Sequence, residues 1–221
     1  VLTCAAEQTF ECSAIGTFTS SSATANCDPE VTITEVRDTS GTCPVNIRRI
    51  FTATDDCGNS STCTTFVHID DTIPPVLTCA AEQTFECDAI GAFNSSSATD
   101  NCDANVTITE VRDTSGTCPV NIRRIFTATD DCGNSSTCTT FVHIDDTTPP
   151  VLTCPADQTF ECDAVGVFNN ASATDNCDAN VTLSEVRDTS GTCPIVIRRV
   201  WTATDDCGNS STCTSFVNID D

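Results

Sequence analysis

Residues Val45 to Asp70 read V-N-I-R-R-I-F-T-A-T-D-D-C-G-N-S-S-T-C-T-T-F-V-H-I-D. Val45-Asn-Ile47 and Val67-His-Ile69 alternate apolar with polar at period two, as in strands with one face on a core. Between them Asp56-Cys-Gly58-Asn59 reads as a turn, with glycine supplying a positive φ. The same signature continues outward. Val31-Thr-Ile33-Thr alternates in the same way, Thr39-Ser-Gly41 is a second turn, and no stretch shows a 3.6-residue apolar period. Strands are predicted near residues 1–5, 8–12, 17–25, 30–37, 45–54 and 61–69. Six or seven short strands in so few residues predict an all-β, immunoglobulin-like Greek-key sandwich. A domain this small buries a thin core, so covalent staples are expected.

The stretch occurs three times. V-L-T-C begins at Val1, Val76 and Val151, a period of 75 residues. V-R-D-T-S-G-T-C-P starts at Val36, Val111 and Val186, and T-A-T-D-D-C-G-N-S-S-T-C at Thr52, Thr127 and Thr202. D-D-T-I-P-P (Asp70–Pro75) and D-D-T-T-P-P (Asp145–Pro150) separate the copies. The predicted domains are therefore 1–75 with linker 70–75, 76–150 with linker 145–150, and 151–221. Copies cut in register predict an array that extends in both directions as a rod.

The 221 residues carry 32 Asp plus Glu against nine arginines and no lysine, a formal net charge of -23. Coulomb repulsion excludes nucleic acid and anionic membranes as partners, and no run reaches the length of a membrane helix. The 18 cysteines recur as the set Cys4, Cys12, Cys27, Cys43, Cys57 and Cys63. Structural zinc favours C-x-x-C pairs, whereas the closest pair here has five residues between its members. An even count in a small repeat predicts disulfides, and with them an extracellular or cell-surface location.

The phrases A-T-D-N-C-D (Ala98–Asp103), R-x-F/W-T-A-T-D-D-C-G-N (from Arg49, Arg124 and Arg199) and D-D-T-T-P-P-V-L-T-C-P (Asp145–Pro155) resemble the hyalin repeat (HYR) family. They are most similar to its cysteine-rich bacterial relatives in giant surface adhesins, including gliding-motility adhesins. The resemblance covers essentially all of each copy. It implies an immunoglobulin-like fold in tandem and an adhesive or spacer role without catalysis. The A-T-D-x-x-G-N turn with a D-x-T-x-P linker is also similar to calcium-bound bacterial immunoglobulin-like adhesin repeats. Ala25 stands where Asp100 and Asp175 stand, a departure that weakens any ion site at the start of the first repeat.

Six cysteines allow fifteen pairings. Sandwich topology favours those that need no staple to span the domain's length. These are Cys4–Cys63, Cys12–Cys43 and Cys27–Cys57, then Cys79–Cys138, Cys87–Cys118 and Cys102–Cys132, then Cys154–Cys213, Cys162–Cys193 and Cys177–Cys207. Local pairing of Cys4–Cys12 and Cys57–Cys63 is the alternative.

Carboxylates crowd the expected junctions. Asp70, Asp71, Asp100, Asp103, Asp130 and Asp131 would meet at the first, and Asp145, Asp146, Asp175, Asp178, Asp205 and Asp206 at the second. Six such groups repel one another unless a cation sits among them, and calcium takes oxygen ligands of this kind. The competing reading is solvated turn residues. With prolines 74–75 and 149–150, a bound ion would stiffen the linker.

Other features point away from chemistry. His68 and His143 give way to Asn218 in the third copy, so no histidine-based catalytic set recurs. Alternation puts Arg49 on the face of Phe51 and Ala53, predicting a cross-strand pair Glu35–Arg49, repeated as Glu110–Arg124 and Glu185–Arg199. A bulge that turns both arginines outward is the alternative. Sequons lie at Asn59, Asn94, Asn105, Asn134, Asn170, Asn180 and Asn209. The sequence thus predicts a non-enzymatic structural or adhesive segment whose partners are neighbouring repeats, copies of itself in a filament, and an adhesive target it does not name. The alternatives are a glycan- or receptor-binding module, or an appendage of a secreted enzyme.

Overall fold

The computed structural model describes all residues, Val1–Asp221. In the first repeat β1 (Leu2–Thr3), β2 (Gln8–Glu11), β3 (Ser22–Ala23), β4 (Thr32–Ser40), β5 (Val45–Thr54) and β6 (Ser60–Asp70) follow one another. The second has β7 (Val76–Thr78), β8 (Gln83–Glu86), β9 (Ser97–Thr99), β10 (Thr107–Ser115), β11 (Val120–Thr129) and β12 (Ser135–Asp145). The third has β13 (Val151–Thr153), β14 (Gln158–Glu161), β15 (Ser172–Thr174), β16 (Thr182–Ser190), β17 (Ile195–Thr204) and β18 (Ser210–Asp220). One 3-10 turn, Cys12–Ala14, is the only helical element. The fold is all-β, three times a four-stranded plus a two-stranded sheet.

In the first repeat the larger sheet runs β2-β6-β5-β4 and the smaller pairs β1 with β3. The β5–β6 hairpin closes at Gly58, whose φ of 83° meets the turn's demand. Strand β2 adds to β6 in parallel, Gln8 opposite Val67. Strand β1 is thus not a hydrogen-bonded neighbour of β6; it pairs with Ala23 and Ser22 and reaches β6 only across the sandwich, through Cys4–Cys63.

The β4–β5 register is unbroken from Thr32↔Thr54 to Ser40↔Asn46, so no bulge redirects the arginines. Arg49, Phe51 and Ala53 point inward from β5 and Thr65 and Val67 from β6, all buried. The third repeat repeats this with Arg199, Trp201, Ala203, Ser215 and Val217. Arg49, 1% exposed, sits where a core would ordinarily hold an apolar side chain. Its Nε donates to Glu35 at 2.6 Å and its Nη1 to the Thr19 carbonyl at 2.8 Å. Its guanidinium lies over the rings of Phe51 and Phe18. One side chain therefore satisfies a carboxylate and pins the irregular segment after β2. In the third repeat Arg199 holds Glu185 and the Asn169 carbonyl.

The chain divides into two compact units, Val1–Ala80 with Ser95–Val111 and Ile125–Thr139, and Ala81–Asn94 with Arg112–Arg124 and Thr140–Asp221. The division falls inside the second repeat. Each unit contains one complete junction between consecutive repeats, the first around Asp71 and the second around Asp146.

Candidate functional site

Each repeat has a head, formed by the loop around Cys27 and the β5–β6 turn around Cys57, and a tail bearing Cys12 and Cys43. Cys12 follows β2 directly, and Cys43 sits between the Gly41 turn and a cis Cys43–Pro44 bond. The two head loops are tied together, because the Asp56 amide donates to Asp28 at 2.9 Å. The same bond recurs between Asp131 and Asp103 and between Asp206 and Asp178, each at 3.2 Å.

In the first unit this arrangement brings the tail of the first repeat against the head of the second. Cys12 bonds to Cys102 and Cys43 to Cys132, with Cα atoms 5.9 and 5.2 Å apart. In the second unit Cys87 bonds to Cys177 and Cys118 to Cys207. The expected pairs Cys12–Cys43, Cys87–Cys118 and Cys162–Cys193 are therefore not formed, and neither are Cys27–Cys57, Cys102–Cys132 and Cys177–Cys207. Cys12, Cys43, Cys87, Cys118, Cys102, Cys132, Cys177 and Cys207 do lie at the ends of the sandwich, but their sulfurs bond to the adjoining repeat instead of to each other. Only the third class stays inside a repeat, as Cys4–Cys63, Cys79–Cys138 and Cys154–Cys213. Cys27, Cys57, Cys162 and Cys193 remain as exposed thiols.

The six carboxylates of the first junction separate into two groups. Asp71, Asp100 and Asp130 each bring an oxygen within 4.8 Å of the others. Asp70, Asp103 and Asp131 line, together with Asp71 and the two disulfides, a cleft of about 170 Å³. Asp70 accepts from the Asp71 amide, and Asp103 from the amides of Asn105 and Asp131. At the second junction Asp146 feels the charges of Asp175 and Asp205. Asp145, Asp178 and Asp206 line the matching cleft there, about 200 Å³. Burial raises the Asp71 carboxyl above its ordinary range, and the neighbouring charges of Asp100 and Asp130 add to this. Asp146 shifts the same way for the same reasons.

Asp100 Oδ1 accepts from the amides of Cys102 and Asp103, but its Oδ2 is buried without a hydrogen-bond partner, as is Asp175 Oδ2. A buried orphan oxygen costs about 1–3 kcal/mol unless something else satisfies it. An all-oxygen set of this kind suits a hard cation, and calcium or magnesium would fit these donors better than zinc.

The turn asparagine is a junction residue that motif reading does not single out as such. Asn134 Nδ2 donates to the linker carbonyl of Asp71 at 2.9 Å and to Asp130 Oδ2 at 2.9 Å. Asn209 does the same for Asp146 and Asp205. Ser136 and Ser211 hold the linker carbonyls of Pro75 and Pro150. The amides of the sequons at Asn134 and Asn209 are thus committed, and a sugar there would break the joint. Asn59 gives both its amide contacts to Asp55, while Asn94, Asn105, Asn170 and Asn180 are exposed.

His68 is held between Asn46 and Glu7, at 2.5 and 2.7 Å. Where Asn218 replaces it, Val196 replaces the cross-strand Asn46. This compensating pair inside the chain marks a structural contact. Trp201 is 5% exposed in the core and offers no aromatic platform for a sugar. No helix is long and apolar enough to cross a membrane.

No family model and no curated protein matches the chain, so the likeness to hyalin repeats stands on the phrases quoted above. Among solved structures it is similar to mouse cadherin-23 EC22-24, at 11% identity and a TM-score of 0.37 over 98% of this chain and 96% of that one. It is also similar to Drosophila N-cadherin EC1-4, at 10% identity and 0.28 over 97% and 73%. The protocadherin gamma B4 extracellular domain aligns at 13% and 0.34 over 87% of this chain and 44% of that one, so the chain spans less than half of that protein's length. At these values the likeness assigns no ligand, partner or activity.

Proposed function

We propose that the chain is a non-enzymatic, force-bearing repeat segment of an extracellular surface protein or filament, stiffened at its junctions by disulfides and calcium. One observation carries this reading: consecutive repeats are joined three times over, by the linker and by two disulfides. A chain whose repeats only had to be displayed would need the linker alone. Disulfides persist in oxidising compartments, which supports an extracellular setting, and 32 acidic residues keep such a surface soluble. We set the domain limits at 75/76 and 150/151, directly after the linkers Asp70–Pro75 and Asp145–Pro150.

Single-molecule stretching tests it. In the oxidised chain the shortest covalent path per repeat runs through the junction bonds and the segment from Cys118 to Cys132, about 50 Å fully extended. Reduction releases the whole repeat, about 250 Å. An oxidised chain that lengthens at low force as far as the reduced one would overturn the proposal.

A further inference from the structure

The two edges of the larger sheet are unequal. In the first repeat one edge is β2, four residues long, and the other is β4, nine residues long. All nine β4 residues are exposed. The strand holds no proline, glycine or lysine, and its register with β5 is free of bulges. An edge of this kind presents a row of backbone N–H and C=O groups to any strand that approaches it. Strand β10 forms the same edge in the second repeat and β16 in the third.

Val36 stands at the centre of this strand, T-I-T-E-V-R-D-T-S (Thr32–Ser40), with Glu35 on one side and Arg37 on the other. It is 63% exposed, and its counterparts Val111 and Val186 are 64% and 69% exposed. We propose that this edge joins two copies of the chain: β4 of a second copy, or its counterpart, adds antiparallel to β4 with valine opposite valine. A two-fold axis then passes through the valine pair. Glu35 faces Arg37 of the second copy, and Arg37 faces its Glu35. Thr34 faces Asp38 and Thr32 faces Ser40, so all nine residues find a partner. Residues opposite one another in antiparallel strands share a face, where opposite charges attract. Sliding the second copy by two residues sets Glu35 on Glu35 in one direction and Arg37 on Arg37 in the other, so the charges select one register. Inward-pointing charges on an edge ordinarily block pairing; here each copy carries the counter-charge of the other.

The distribution of charge points to the same edge. All nine arginines lie on β4, β5 and their counterparts, where they outnumber Asp and Glu three to two in each repeat. No other strand carries an arginine or a lysine, so copies with a net charge of -23 approach with least repulsion here. Arg37 is already placed for the contact. It donates to Glu35 at 2.7 Å, its guanidinium lies over the Phe18 ring, and 52% of its side chain is exposed. Pairing sets it between two carboxylates, its own and that of the second copy.

The inference deepens the proposed role by naming the surface through which copies meet, and its test leaves the junctions untouched. The whole oxidised chain, its exposed thiols capped with iodoacetamide, is followed by sedimentation equilibrium at about 0.15 M salt, where charges more than about 8 Å apart are screened. The mass should rise with concentration above 23.3 kDa, and outward-facing β4 amides should gain protection from hydrogen exchange as it does. Val36→Lys, Val111→Lys and Val186→Lys together oppose two ammonium groups at the axis and should hold the mass at 23.3 kDa. Thr34→Lys, Thr109→Lys and Ser184→Lys together set a cation opposite Asp38 of the second copy, or its counterpart. They should tighten association about fivefold for each paired edge, which gains two opposite-charge pairs. A parent that stays monomeric up to about 1 mM with its junction bonds intact overturns this inference alone and leaves the proposed function standing. Association that survives the valine substitutions, or that weakens with lysine at position 34, overturns it too.

Discussion

Arg49 shows how one residue sets a local architecture. Alternation along β5 places it on the inner face, and the uninterrupted β4–β5 register keeps it there, so its charge needs an inward-facing partner. Glu35 is that partner. Its carboxyl falls from 4.5 to about 2 because Arg49 and then Arg37 hydrogen-bond to it; Glu185 falls to about 2 with Arg187 and Arg199. A carboxyl lowered by folding adds stability that is fully present above pH 4.5 and disappears as pH falls towards 2. Replacing Glu35 and Glu185 by Gln should remove that part of the acid dependence, seen as a shallower decline of the denaturant midpoint between pH 4.5 and 2. Replacing Arg49 by Ala is a heavier change, since it orphans Glu35 and the Thr19 carbonyl and opens a core cavity. It should cost roughly 3–5 kcal/mol, whereas Arg49→Met, which keeps most of the volume, should cost less. Equal losses for the two variants would mean that the ion pair and the Thr19 contact, not the packed volume, hold the position.

Among the elements, β1 and β3 are the weakest, two residues each with two facing pairs, far below what a sheet needs to stand alone. Cys4–Cys63 fastens β1 to the larger sheet, and in the chain-entropy account a closed loop of this length contributes about 4 kcal/mol. A Cys4→Ser, Cys63→Ser variant should lose amide protection at Thr3, Ser22 and Thr24 in hydrogen exchange while β5 and β6 keep theirs, because local opening follows local contact. Loss of protection throughout would show that the staple holds the whole sandwich. The strands themselves were legible from alternation and turn glycines, and so was the class of this bond, because Cys63 lies on β6 and Cys4 directly follows β1, so their facing follows from the fold. The other cysteines were not. They occupy loops, and a period of 75 makes Cys27 and Cys102 identical in context, so pattern alone cannot distinguish a bond within a repeat from one between repeats. The carboxylates met the same limit: six shared an address, but only three turn inward, and which three depends on turn hydrogen bonds such as Asp103 with Asp131.

Over the whole molecule a net charge of -23 opposes compaction, and the junction triads are where that opposition is costliest. A carboxyl raised by folding, as Asp71 and Asp146 are, weakens the folded state as pH rises through the raised value, the reverse of Glu35. Bound calcium would cancel the penalty at neutral pH. At 10 mM ion and a dissociation constant on the order of 1 mM, each junction would gain about 1.4 kcal/mol. Calcium should therefore raise the melting temperature by several degrees beyond sodium chloride of equal ionic strength, because screening acts on every charge but coordination acts only at the triads. Replacing Asp100 and Asp175 by Asn separates the two effects. Oδ1 keeps its bonds to the turn amides, while an amide N–H replaces the orphan Oδ2 and can donate to the facing carboxylates. The variant should be more stable than the parent in EDTA at pH 7 and lose the calcium-specific gain, yet respond to sodium chloride as before. If the parent gains no more from calcium than from salt, the triads hold no ion. The Asn variant should still be the more stable one, because relieving a buried, unpaired oxygen does not depend on what the site binds.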